Sequence, residues 1–99
     1  MLGEKLKELR ESKGLLQRQV AAELDVDTAY ISKMENNDKP VSKAYLSKLA
    51  KLYDVDEQEL FTLWLADKVY YVVKDQDVAL KAMEVAEEEI KSKRKENLS

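Results

Sequence analysis

The chain has 99 residues, with 17 Lys/Arg against 20 Asp/Glu, a formal net charge of −3, no cysteine and no histidine. Such a length fits one domain with a small core, and the missing residues exclude disulfides, thiolate metal sites, the commonest metal ligand and the commonest general base near neutral pH. Two glycines and one proline leave no Gly-rich phosphate loop, no apolar run approaches the ~20 residues of a membrane span, and MLGEKLKEL carries charge too early for a signal peptide. The expectation is a soluble cytoplasmic protein that is not an enzyme, with no catalytic residue, cofactor or metal.

In chain order, Leu2, Leu6 and Leu9 share one helical face among charged neighbours, and Gly14 is placed to end that helix as a left-handed cap. A second helix is predicted over 17–24 and a third over 28–36, separated by Asp25-Val26-Asp27. Asn36-Asn37-Asp38-Lys39-Pro40 reads as a turn in which Asn37 tolerates a left-handed backbone. Ser42 caps a fourth helix to about Tyr53, with Leu46, Leu49 and Ala50 facing inward. After Asp54-Val55-Asp56, with Asp56 as N-cap, a helix runs over 57–74, and a last one over 78–92, leaving 93–99 frayed. No segment alternates with period two, so the fold class is all-α.

The segment QRQVAAELDVDTAYISKMEN, residues 17–36, is the most specific pattern. Val20, Ala21 and Leu24 lie on one face of its first helix, Ile31 and Met34 on one face of its second. Val26 is free to turn inward between them, and Asp27 is suited to cap the second helix. This is the pattern of a helix-turn-helix unit, whose second helix can enter the DNA major groove. Charge gives no broad attraction. The residues before Val41 hold seven cations and eight anions, the rest ten and twelve, so binding must come from a few placed cations and backbone amides.

Residues 2–61 resemble the Xre/Cro/CI-type helix-turn-helix family of lambdoid phage repressors and small bacterial regulators. The resemblance lies in LKELRESKGL, in Gln17, Ala21, Val26, Ile31, Ser32 and Glu35, and in LSKLAKLYDVDEQEL. It implies a five-helix DNA-binding domain over 1–61, extended over 62–99 by one or two helices. It also implies base contacts from Thr28, Ala29, Ser32 and Lys33, with Lys33 suited to guanine and Ala29 to a thymine methyl. Phosphate contacts are implied for Gln17, at a helix N-terminus, and for Arg18, Asn36, Lys39 and Lys43, of which one is expected to be idle. Tyr30 is placed either to reach a phosphate or to pack beside the turn. Arg10 and Glu35 occupy positions that pair in many such repressors, implying a partly buried ion pair. Three residues depart from the family pattern: Leu16 stands where Ser or Thr usually caps the second helix, at a cost of about 1 kcal/mol, and Asp25 and Asn37 stand where glycines are usual.

The extension is too apolar for a lone helix. Phe61, Leu65, Val69 and Val72 form one stripe, with Trp64, Tyr71 and Leu63 on other sides; Ala79, Met83, Ala86 and Ile90 form a second, beside Val78, Ala82 and Val85. The surplus predicts a homodimer interface of Phe61, Trp64, Leu65, Val69, Tyr71, Val72, Met83, Ala86 and Ile90. Two-fold symmetry then sets two recognition helices about 34 Å apart on an inverted repeat. The glutamates and lysines of the last helix read as a solvated face. The expected function is a transcriptional regulator, a repressor or autoregulator of bacterial or phage type, with double-stranded DNA as partner. The alternatives are an antitoxin-like or developmental interaction module, which binds a protein partner through its C-terminal helices, and a restriction–modification controller.

Overall fold

The computed structural model describes residues 1–98 as six α-helices, and among the described residues there is no strand. They are α1 (Leu2–Ser12), α2 (Gln17–Leu24), α3 (Thr28–Glu35), α4 (Leu46–Tyr53), α5 (Glu57–Val73) and α6 (Ala79–Leu98), with a 3₁₀ turn at Lys43–Tyr45 before α4. The all-α expectation holds, and no helix is long and apolar enough to cross a membrane among the described residues.

The chain divides into two compact units, Met1–Lys68 and a second beginning at Val69. In the first, one apolar core is drawn from every helix: Leu2, Leu6, Val20, Leu24, Ile31, Met34, Leu46, Leu49, Tyr53 and Leu60 are buried. Leu9, Val26, Phe61, Leu63 and Trp64 pack against it, half-buried. Leu2, Leu6, Val20, Leu24, Ile31, Met34, Leu46 and Leu49 are positions that helical periodicity selects, so burial rather than propensity holds helices as short as eight residues.

One turn design is used twice. Asp25 (φ 56°) and Asp54 (φ 54°) both end a helix in the left-handed region. The next residue, Val26 or Val55, donates its N–H to the carbonyl five residues back, Ala21 or Ala50, at 3.0 Å. The valine then points to the core. The two turns differ at their second aspartate. Asp56 accepts the Gln58 N–H at 2.9 Å, whereas Asp27 has the extended backbone of a cap but no capping side-chain bond, contrary to the expectation.

Gly3 is buried where α1 crosses the end of α3. A β-carbon there would lie 2.6 Å from the Met34 carbonyl oxygen and 2.9 Å from that of Glu35, and closer still to the Asn37 side chain. Periodicity does not single out this residue, since a glycine inside a helix signals close approach only when its neighbour is known.

In the second unit α6 continues to Leu98, not to Ser92, so the fraying expected from residue 93 is corrected over the described residues; Ser99 lies outside them. The reason is local. Glu87–Lys91 at 2.9 Å and Glu89–Lys93 at 3.9 Å are i,i+4 pairs with the acid N-terminal, the favourable order. Leu80, Val85 and Ile90 are exposed at 83%, 62% and 53%.

Candidate nucleic-acid interface

Helices α2 and α3 cross through Val20, Ala21 and Leu24 against Ile31 and Met34, all buried. With that face locked, α3 presents Thr28, Ala29 and Lys33 to solvent, and Ser32 half-buried at the edge. These four are the residues expected to meet base edges, and they lie on successive turns of one exposed helix face.

Beneath this face lies a polar anchor. Glu35 is 4% exposed. The Arg10 guanidinium donates to it twice, Nε to Oε2 at 2.7 Å and Nη2 to Oε1 at 3.1 Å, and spends a third donor, Nη1, on the Leu15 carbonyl at 2.9 Å. The implied ion pair is therefore present, in the fork geometry that arginine favours. Its hydrogen bond to Glu35 raises the guanidinium pKa above its usual value. Gln17 Nε2 also donates to Glu35 Oε1, at 3.1 Å. The first residue of α2 is thus tied to the last of α3, which holds the two helix ends in register. Tyr53 packs nearby, and burial, aided by the negative charge of Glu35, pushes its phenol up to about 12.

The start of α2 is better satisfied than Leu16 suggests. Leucine offers no capping oxygen, but Gln19 Oε1 accepts the Leu16 N–H at 2.7 Å, which is one half of a capping box. Arg18 is exposed beside it.

The loop after α3 carries Asn36 and Lys39, and Lys43 follows; all three are exposed. Asn37 adopts φ 61°, as its residue type allows, and its side-chain amide donates to Glu4 on α1. Tyr30 leans on this loop. Its hydroxyl is 3.4 Å from the Pro40 carbonyl and its ring meets Tyr45 edge-on at 5.9 Å, which is the packed alternative of its two expected placements. The Lys43 ammonium sits 4.9 Å from the centre of the Phe61 ring.

Of the residues expected at an interface between subunits, Leu65, Val69, Tyr71, Val72, Met83, Ala86 and Ile90 are exposed. Phe61 and Trp64 are half-buried on the core of the first unit. The Trp64 indole N–H donates to the Val41 carbonyl at 2.7 Å. Spacing alone does not reveal this bond, because its acceptor lies on a loop 23 residues away. No group of acids that could hold a metal ion occurs among the described residues.

No solved structure matches the chain. Three curated proteins do. The chain is 42% identical over 60 residues to the propionyl-CoA carboxylase regulator of Cereibacter sphaeroides, covering 61% of this chain and 13% of that protein. It is 34% identical over 56 residues to the HTH-type transcriptional regulator PrpR of Mycobacterium tuberculosis, covering 57% and 12%. It is 39% identical over 61 residues to control protein C.MunI of a Mycoplasma species, covering 61% of this chain and 82% of that protein. The chain thus spans about an eighth of the first two relatives. The family profile described as Helix-turn-helix matches residues 6–60. From that match, which takes in the anchored α2–α3 pair and its flanking helices, the chain belongs to the Xre/Cro/CI-type helix-turn-helix family of DNA-binding transcriptional regulators.

Proposed function

We propose that this chain is a sequence-specific regulator, a repressor or autoregulator, that binds an inverted-repeat operator as a homodimer, with 1–61 reading DNA and 62–99 joining the subunits. The observation that carries the reading is the division of α3 into two faces: one is locked by Ile31, Met34 and the Arg10–Glu35–Gln17 anchor, the other leaves Thr28, Ala29 and Lys33 exposed. A helix so braced meets the groove in one orientation, as base readout requires. Gln17, Arg18, Asn36, Lys39 and Lys43 supply phosphate contacts around it. They do so in an acidic chain because contact is local, and the acids of α6 belong to a different unit.

The dimer reading draws on the apolar surface left uncovered from Leu65 to Ile90. Two half-sites on one duplex add their binding energies, which suits a protein with few cations per site. The controller-protein reading gains from the 82% of control protein C.MunI that the chain spans; it uses the same surface and the same symmetry.

Selection from random duplexes, followed by salt titration of wild type and Ser32→Ala/Lys33→Ala, tests the reading. An inverted repeat recovered with wild type and absent with the double variant is the expected result. Binding that is equal for both proteins and abolished by modest salt would overturn it, and would leave the C-terminal helices as a docking site for a protein partner.

A further inference from the structure

Trp64 is the chain's only tryptophan. It sits on α5, yet its indole N–H is spent on the Val41 carbonyl, in the loop that follows α3, at 2.7 Å. Val41 is 7% exposed, and a buried carbonyl in a loop has no helical partner of its own. An indole, which donates and never accepts, completes it.

The same side chain belongs to a column of four. Phe61 stacks on Trp64 with centroids 5.7 Å apart and planes inclined by 14°. The Lys43 ammonium lies over Phe61 at 4.9 Å and the Lys68 ammonium over Trp64 at 4.4 Å. Among the described residues, no carboxylate pairs with Lys43. An aromatic face holds a cation in place without neutralising it, so the ammonium keeps its donors for an anion; a carboxylate would have to be displaced first.

We propose that Trp64 and Phe61 are positioning residues for phosphate contact: Trp64 fixes the loop that carries Asn36 and Lys39, and Phe61 aims Lys43 at the DNA backbone. The proposal rests on the reading of α3 as the DNA-reading helix and extends it to α5, which touches no base.

The test compares wild type, Trp64→Phe, Lys43→Gln and the double variant on the selected operator across a salt series. Phenylalanine keeps a ring to stack and removes the donor. Trp64→Phe should weaken operator binding on the order of tenfold and flatten the log K against log salt slope by about 0.9 for each phosphate the protein no longer neutralises. Its preference for the operator over single-base-pair variants should not change. The double variant should bind more weakly than either single variant, because Trp64 acts on the contacts of Asn36 and Lys39 while Lys43 is held by Phe61. Wild-type affinity and slope in Trp64→Phe, or a double variant no weaker than Lys43→Gln alone, would overturn the proposal. If Trp64→Phe does not fold, the wild-type indole N–H proton resonance decides: it should shift when operator is added, and a resonance that stays in place refutes the coupling. A wild type that selects no duplex removes the DNA reading and this proposal together. A wild type with a clear operator but salt-insensitive substitutions removes this proposal alone.

Discussion

Leu49 on α4 and Leu80 on α6 are the same side chain in the same kind of helix, yet one is 0% exposed and the other 83%. Each is typical of its unit. Helix α4 has eight residues, too few to persist alone, and exists because Leu46, Leu49, Ala50 and Tyr53 are buried together. Helix α6 has 20 residues and its own ladder of Glu–Lys pairs, so it needs no core to stay helical. A tertiary core therefore accounts for the first unit, while the second is held by local terms and leaves its apolar stripe open.

The sharpest test of this contrast is charge removal. Arg10→Met strands Glu35, whose side chain is 2% exposed, and should cost about 3–5 kcal/mol in urea unfolding. The matching change in α6, Lys91→Met, breaks a pair in which both side chains are 64% exposed and should cost no more than about 0.5 kcal/mol. Truncation comes next. Leu49→Ala should cost about 3 kcal/mol, Leu80→Ala under about 0.5 kcal/mol; similar values for the two would break the comparison.

Alkaline unfolding follows. The Tyr53 phenol ionises at about 12 when folded and near 10 when unfolded. The folded pKa is the higher one, so the contribution is intact below pH ~10 and is lost as pH rises from about 10 to about 12, at most ~2–3 kcal/mol. Urea midpoints from about pH 9 to about pH 12 for wild type and Tyr53→Phe should diverge in that window, with the variant falling less steeply. Asp25→Gly, which relieves a left-handed non-glycine backbone at φ 56°, should stabilise by about 1 kcal/mol in the same assay. Smallest of all on the fold is Ile90→Asp on α6. Dilute-solution unfolding should stay within about 0.5 kcal/mol of wild type, while sedimentation should show the loss of the proposed dimer. A variant that remains dimeric would move the subunit contact off α6.

Most of the first unit is legible in the sequence because helical periodicity and burial agree there. Periodicity turns Leu2, Leu6, Val20, Leu24, Ile31, Met34, Leu46 and Leu49 inward, and all eight are buried. Residue type marks Gly14 and Asn37 as left-handed, and they have φ 67° and 61°. The exposed face of α3 is legible for the complementary reason: once the core face of the helix is assigned, Thr28, Ala29 and Lys33 are what remains. Residues 93–98 are not legible in the same way. Their composition suggests fraying, while i,i+4 and i,i+3 pairing of Lys93 with Glu89 and Glu96, which depends on register rather than composition, extends the helix.

The sequence by itself determined the six helices, the tolerance of Asp25 and Asn37 for a left-handed backbone, and the α2–α3 pair that places the chain in its family. These depend on spacing within a few residues, where local geometry is set by residue type. Only the tertiary structure decided that Gly3 must be glycine, that Gln17 shares Glu35 with Arg10, that Tyr30 packs on the loop, and that Trp64 belongs to the first unit's core and holds Val41. Each of these joins residues 10 or more positions apart, and a hydrogen bond or steric contact of that kind is specified by where two helices cross, which no local pattern encodes.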